Sequence, residues 1–466
     1  MQGYNPGDTI CAPATAPGMA AIAVLRLSGP SSFDIAGQIF VPMHKEQRLE
    51  GARPRRMLYG QIVDGELPID EVLLTKFEAP RSYTGEHMVE VSCHGSPYIR
   101  QQILRLMIDR GARMARPGEF TMRAFLNGRM DLSQAEAVAD LIASNSEASR
   151  QIAFHQMRGH FSKRIADLRA QLLEFASLIE LELDFTEEDV EFANREELSA
   201  LLNDIESEVR RLMESFSMGN VLKHGIPVAI IGKPNVGKST LLNALLNEER
   251  AIVSEIPGTT RDAIEDSISI GGVAFRFIDT AGLRKGRDAI ETVGIGRTYE
   301  KIRQASIILY LFDASTTGLE EITETIREFR ERVGDKDKRL MLIANKIDLM
   351  EEIPQNFRNL VDLETIFISA KRKENIGLIT DSLLRSATSA PGEKHDTLVA
   401  NTRHYEALSA AARSIAEVRT GMQNRIPGDL LAIDLRSALH HLGSITGEVT
   451  SDEILGAIFE KFCIGK

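Results

Sequence analysis

Gly232-Lys233-Pro234-Asn235-Val236-Gly237-Lys238-Ser239 fits the spacing G-x-x-x-x-G-K-[ST], which suits a chain that must wrap a polyphosphate. The glycines let backbone N–H groups close on phosphate oxygens, and a following helix points its positive end at the same charge. Lys238 is placed for the β- and γ-phosphates, and the Ser239 hydroxyl for Mg2+. Asn235, Val236, Gly237 and Thr240 complete the expected nucleotide contacts of this loop. The flanks agree: the apolar run Val228–Ile231 reads as a buried strand entering the loop, and Thr240–Leu246 as the helix leaving it.

Three further motifs follow in order, so that four stand in register over roughly 140 residues, and they point to guanine rather than adenine. Asp279-Thr280-Ala281-Gly282 follows the strand-like Ala274–Ile278, which makes Asp279 a water-mediated Mg2+ partner and gives the Gly282 N–H to the γ-phosphate. Asn345-Lys346-Ile347-Asp348 follows Leu340–Ala344. A carboxylate at Asp348 can accept from N1–H and the exocyclic amine of guanine, whereas adenine would leave it partly unpaired. Ser369-Ala370-Lys371 after Phe367-Ile368 completes the guanine set.

The hydrolytic machinery is unusual. The residue after Gly282 is Leu283, where a glutamine would orient the attacking water. Either another group does that work or the chain is a slow switch. Ser254-Glu255-Ile256-Pro257-Gly258-Thr259-Thr260 reads as the first switch, with Thr260 the second Mg2+ ligand. The Asn235 amide is either a loop-stabilising group or, with carbonyls of Ser254–Thr259, a ligand for K+ in place of an arginine finger.

The elements that must hold these groups can be read around them. With 466 residues, about three domains are expected. Residues 1 to about 125 alternate short strand-like runs (Ala21–Leu27, Val72–Phe77, Met88–Ser92) with helical runs near Ser32–Phe40 and Tyr98–Arg110, an α+β pattern. The apolar segment Cys11–Leu25 reads as the first strand rather than a leader, because no positive charge precedes it and Pro13, Pro17 and Gly18 interrupt it. From Ser133 the pattern turns helical: Ser133–Glu136 reads as a capping box, Glu147–Leu183 as one long helical stretch, and Glu196–Met218 as another. A nucleotide domain spans about 225–385, and helical pattern returns from Thr402 to a last helix, Ser451–Phe462, capped by Thr450–Glu453. The expected fold is thus multidomain α+β and α/β: an N-terminal domain (1–125), a helical domain in two halves (126–222 and 386–466) and an inserted Ras-like P-loop domain (225–385).

Composition narrows the class. A net charge of −12 argues against a non-specific nucleic-acid binder, although residues 1–130 hold 15 Lys+Arg against 13 Asp+Glu. The seven arginines between Arg100 and Arg129 are either a solvated helical rim or a phosphate-facing surface. Cys11, Cys93 and Cys463 form neither a disulfide framework nor a zinc pattern, which fits a reducing cytoplasm. No apolar run reaches the ~18 residues of a membrane span.

Taken with Arg116–Phe120, Arg123–Asn127, Asp131–Ala137, Gly258–Asp262 and Cys463-Ile464-Gly465-Lys466, the whole chain resembles the MnmE (TrmE) family of tRNA-modifying GTPases. The resemblance implies a homodimer formed through the N-terminal domain and a heterotetramer with an FAD-containing partner of the MnmG (GidA) type. That assembly would add a carboxymethylaminomethyl or aminomethyl group to C5 of the wobble uridine of certain tRNAs. The one-carbon unit would come from 5-formyl-tetrahydrofolate or 5,10-methylenetetrahydrofolate. By the same resemblance the folate site maps to Arg26, Glu90, Arg129 and Lys466, and K+ to Asn235, Ser254, Ile256 and Thr259. Glu291 matches the glutamate that helps position the attacking water, and Cys463 becomes a candidate nucleophile or proton donor toward the uridine. The alternatives are a ribosome-assembly GTPase or a regulatory scaffold. No G-x-x-G clamp of the KH type stands in a suitable context, which weighs against the first.

Overall fold

The computed structural model describes residues 5, 7–44, 48–184, 195–247, 251–253, 266–278, 303–333, 338–350, 352, 364–388, 398–424, 426–460, 462 and 465. By contacts these fall into two compact units: Met1–Ala139, Gln156–Leu201 and Arg413–Lys466 form one, Asp140–His155 and Leu202–Ala412 the other. Among the described residues no helix is long and apolar enough to cross a membrane.

The first unit begins with β1 (Ile10–Pro13), β2 (Ala20–Ser28), α1 (Ser32–Ile39), β3 (Phe40–Pro42), β4 (Met57–Asp64), β5 (Leu67–Phe77), β6 (Met88–Gly95), α2 (Pro97–Asp109) and β7 (Arg113–Met114). Its strands form one sheet ordered β3-β4-β5-β6-β2-β1-β7. Alternation assigns the faces: Leu58, Val72, Leu74, Val91 and Leu25 share an inner core with Ile35, Ile103 and Leu106 of the helices. The segment read as a first strand is in fact two. β1 and β2 pair antiparallel, Ala12 opposite Arg26, because the proline- and glycine-rich stretch between them turns the chain back.

Helices follow: α3 (Glu119–Leu126), α4 (Leu132–Ala143), α5 (Glu147–Met157), α6 (His160–Asp184) and α7 (Arg195–His224). The capping box lies two residues earlier than the sequence suggested. Asp131 Oδ1 accepts from the Gln134 N–H at 2.9 Å and Gln134 Oε1 accepts from the Asp131 N–H at 3.0 Å. Ser133 instead sits inside α4 and accepts from Gln156 Nε2. The long helical stretch is broken at Gly159, whose φ of 81° no helix sustains.

The second unit carries β8 (Ile226–Ile231), α8 (Lys238–Leu246), β9 (Ala251–Val253), β10 (Asp266–Ile270), β11 (Val273–Phe277), β12 (Ile307–Asp313), α9 (Leu319–Val333), β13 (Arg339–Asn345), β14 (Thr365–Phe367) and α10 (Ile376–Thr388). The sheet order is β14-β13-β12-β8-β11-β10-β9, with β8 and β11–β14 parallel and β9 and β10 antiparallel at one edge. β8 and β12 read as near-continuous apolar runs because helices cover both faces of a parallel sheet. Within this unit α7 and the segment at Val399 lie side by side. A Cβ on Gly219 would stand 2.3 Å from the Val399 carbonyl oxygen, and the Val399 N–H donates to Ser215 Oγ at 3.1 Å.

The chain closes with α11 (Thr402–Gln423), α12 (Gly428–Thr446) and α13 (Asp452–Phe459). In the first unit α6 packs on α12, where Arg169 pairs with Glu448. Ser451 Oγ caps α13 by accepting from the Ile454 N–H, and the helix stops at Phe459, short of Phe462. Phe459 and Phe462 are buried with Leu132 and Leu455.

Three of the seven arginines, Arg100, Arg113 and Arg123, are engaged by the fold. Arg100 donates to the carbonyls of Ala16 and Gly18, Arg113 pairs with Asp8 and Glu119, and Arg123 is fully buried against Glu86 and Glu119. Burial pushes the Glu119 carboxyl up, but Arg113, the Arg116 N–H and Arg123 outweigh it and hold it below its ordinary value. Its contribution is therefore full at neutral pH and fades as pH falls through that lowered value. Glu119→Gln should cost about 3–5 kcal/mol by denaturant unfolding, since it strips one partner from a buried charge. The variant should also lose less of its remaining stability on acidification than the parent does.

Candidate functional site

β8 ends in the core at Ile231 and the chain turns through Gly232 (φ 152°), Asn235 (φ 61°) and Gly237 (φ 100°) into α8. A Cβ on Gly232 would meet the Leu311 carbonyl oxygen at 2.1 Å, and one on Gly237 would meet Asn345 Nδ2 at 2.4 Å. Both glycines are thus required by close approach as well as by φ. Lys238 Nζ folds over the loop and donates to the carbonyls of Gly232 (2.7 Å) and Lys233 (2.9 Å). That puts its ammonium above a helix N-terminus whose first N–H groups have no partner inside the helix, a site for anionic oxygens. Ser239 and Thr240 occupy the next positions of the same turn, and Val236 anchors the loop in the core.

The end of β13 closes on this loop. Asn345 is buried; its Nδ2 donates to the Val236 carbonyl at 2.7 Å and its Oδ1 accepts from the Ala370 N–H at 2.9 Å. Lys346, at φ 69°, pairs with Asp313 at 2.7 Å. Burial raises the Asp313 carboxyl, but Lys346 and Ser315 more than offset it, and the group titrates below its usual range. Asp348 Oδ1 accepts from Ser369 Oγ at 2.7 Å, and that hydrogen bond leads the lowering of its pKa. Ser369 is held in turn by backbone bonds in both directions with Glu374, and Lys371 follows on the exposed turn. Of the nucleotide-site residues read from sequence, Asn235, Val236, Gly237, Lys238, Ser239, Thr240, Asn345, Lys346, Asp348, Ser369, Ala370 and Lys371 are described. Ser254, Glu255, Ile256, Pro257, Gly258, Thr259, Thr260, Asp279, Thr280, Ala281, Gly282 and Glu291 lie outside the described residues. Asp313, which fixes Lys346, was not picked out by sequence reasoning; its position at the end of a buried parallel strand is the signal that could have found it.

A second constellation lies in the other unit. Arg26 and Glu90 stand opposite each other on β2 and β6, with Arg26 Nε 2.8 Å from Glu90 Oε1. The guanidinium lies over the Tyr83 ring, 5.3 Å from its centroid, and Arg26 Nη1 donates to the Gly465 carbonyl at 3.4 Å. Gly465 (φ 97°) presses so closely on Pro13 that a Cβ there would stand 2.0 Å from its carbonyl oxygen. Arg129 is exposed and lies against Gly85 of the loop that carries Tyr83. Arg26 and Glu90 are thus brought together and the Gly465 carbonyl is laid on Arg26; Cys463 and Lys466 are outside the described residues. Tyr83 is the member that sequence missed, because an aromatic in an irregular loop carries no periodic signal.

Comparison with known proteins places the chain in a family. Residues 132–463 match the family described as "MnmE helical domain", and residues 9–129 match "GTP-binding protein TrmE N-terminus". A protein named tRNA modification GTPase MnmE from Christiangramia forsetii is 52% identical over 472 residues, covering 98% of this chain and 99% of the relative. One of the same name from Flavobacterium psychrophilum is 51% identical over 460 residues, covering 98% and 99%.

Two substitutions test the nucleotide site. Asp348→Asn should weaken GTP binding by at least about a hundredfold and restore binding for the xanthosine nucleotide, whose edge presents the reversed polarity. Unchanged GTP affinity in equilibrium titration would remove the guanine assignment. Asn345→Ala should weaken every nucleotide alike, because it unties the phosphate loop from the Ala370 loop.

Proposed function

We propose, from the premise that the chain belongs to the MnmE family of tRNA modification GTPases and hydrolyses GTP, that it couples this hydrolysis to modification of the wobble uridine at C5. In this reading a flavoprotein partner and a tetrahydrofolate one-carbon unit complete the reaction, and the product carries an aminomethyl or carboxymethylaminomethyl group. The observation that carries the nucleotide half is Asn345, whose amide links the phosphate loop to the Ser369–Lys371 turn beside Asp348. Residues 1–125 would bind folate and form the dimer, 126–222 with 386–466 the helical domain, and 225–385 the GTPase domain.

GTP fits the described residues. Lys238 and the N-terminus of α8 supply positive potential for its phosphates, and Asp348, preset by Ser369, offers an ionised acceptor to the base. Mg2+ would be held by the Ser239 hydroxyl with Thr260, both hard oxygen donors. K+ would be held by the Asn235 amide oxygen with Ser254, Ile256 and Thr259, and would supply the positive charge that an arginine finger otherwise brings. Glu291 would orient water in the place of the side chain that Leu283 lacks.

The donor set of the second constellation fits a tetrahydrofolate. Glu90 and Arg26 present a carboxylate and a guanidinium side by side, Tyr83 adds an aromatic face, and Arg129 and Lys466 would take the anionic tail. The folate would bring the one-carbon unit; the chain's own residues bind and orient it. Cys463, next to this site in sequence terms through Gly465, is assigned to the uridine.

Three measurements test the reading. GTP turnover should be much faster in K+ than in Na+ at matched ionic strength, with two G domains associating in the process; equal rates would remove the cation assignment. Cys463→Ser should keep GTP turnover and abolish the modified wobble nucleoside in tRNA from cells carrying that variant alone. Normal nucleoside levels there would refute the role. Glu90→Gln should weaken folate binding by roughly an order of magnitude, the worth of one charged hydrogen bond, without affecting nucleotide affinity.

A further inference from the structure

The β10–β11 hairpin joins the two segments assigned to sense the nucleotide. The chain enters β10 directly after residues 254–265 and reaches Asp279 two residues beyond the end of β11. Between these roots the strands are laddered in unbroken register, Asp266 opposite Phe277 through Ile270 opposite Val273. β11 is also paired with β8, so the ladder links the two roots to the tip from within the sheet.

The tip is engaged. The Gly272 carbonyl accepts from the Ala148 N–H at 3.0 Å, in the first turn of α5. Other donors of that turn are met locally: Ser149 N–H donates to Ser146 Oγ at 3.1 Å and Ser146 N–H to Ser149 Oγ at 3.2 Å. The hairpin thus supplies an acceptor that the helix start cannot provide for itself. Gly272 sits at φ 83°, and a Cβ on it would lie 3.2 Å from Glu147 Cβ, so the approach depends on glycine. Beside it Val273 packs on Ile152, Leu222 and Ala400. The base of this cluster is tied by Lys223 Nζ to Asp140 at 2.7 Å, which joins the end of α7 to the end of α4.

We propose that Gly272 and Val273 are positioning residues through which the nucleotide state reaches α5. A change at the two roots on binding a γ-phosphate would reach the tip along the ladder, and the Gly272–Ala148 bond with the Val273 contact would then hold or release the start of α5. The chain runs from α4 through α5 and across Gly159 into α6, so α5 is the covalent route from this contact toward the N-terminal unit. The inference rests on the GTP reading above, and it names how the GTPase cycle would be communicated rather than how GTP is held.

The test is hydrogen exchange on the full-length protein, comparing GDP with a non-hydrolysable GTP analogue over the peptide Ser146–Met157. The parent should show exchange in this peptide that depends on the nucleotide, and Gly272→Ala and Ala148→Pro should abolish the dependence. Ala148→Pro removes the single donor in a first turn, where proline is tolerated, so it guards against a variant that fails to fold. In both variants GTP turnover should stay within about twofold of the parent while the wobble-uridine product falls about tenfold or more, the size of a typical intersite coupling. A parent that binds both nucleotides yet exchanges identically overturns the proposal, as do variants that modify tRNA at the parental rate or lose GTP turnover in parallel. Failure of the GTP reading itself would be seen separately, as absence of nucleotide binding in the parent.

Discussion

One buried carboxamide organises the nucleotide unit. Asn345 donates to the Val236 carbonyl and accepts from the Ala370 N–H, so three strand ends (β8, β13 and β14) are fixed by a single side chain. A buried amide with a missing partner costs more than the bond it forms gains, so the loops reach this arrangement together or not at all. The phosphate loop can then approach so closely that Gly237 has no room for a Cβ. The pairing of Lys346 with Asp313 and of Asp348 with Ser369 extends the same principle outward: each group that would touch the base is already oriented by a neighbour.

The N-terminal unit uses charge differently. Its core contains Arg123 and Glu119, both buried, with Arg113, Glu86 and Asp8 completing the network. This network ties α3 to the segment before β1 and to the loop before β6, the same loop that carries Tyr83 and Gly85. The Arg26–Glu90 pair is thus set on a frame whose rigidity is ionic as well as apolar, and Gly465 is tied to it through its carbonyl.

Much of this was legible in sequence where the signal is local. The strand–loop–helix around Lys238, the strands preceding Asn345 and Ser369, and the N-terminal strands and helices follow from periodicity and short motifs. Where the outcome depends on distant partners, sequence misplaced it. Ser133 had the right type for a cap, yet Asp131 caps because the helix start is set by how Leu132 buries beside Phe459. Gly159 splits what an unbroken apolar period suggested was one helix, and the Cys11–Leu25 run divides into two strands that only a sheet neighbour could reveal. Tyr83, Asp313 and the Gly272–Ala148 bond were invisible for the same reason: each matters through a residue far away in the chain.

The contact between Gly219 and Val399 has a consequence for how such a molecule can come about. The stretches that flank the nucleotide-binding sheet, before β8 and after α10, touch each other here. A loop whose ends already meet adds little closure entropy to its host, however many residues it contains. The segment between these two positions can therefore be long without a large entropic cost on the contact that closes it. The same adjacency makes a short linker between residues near 219 and 399 the natural place to divide the molecule into separately evolvable parts.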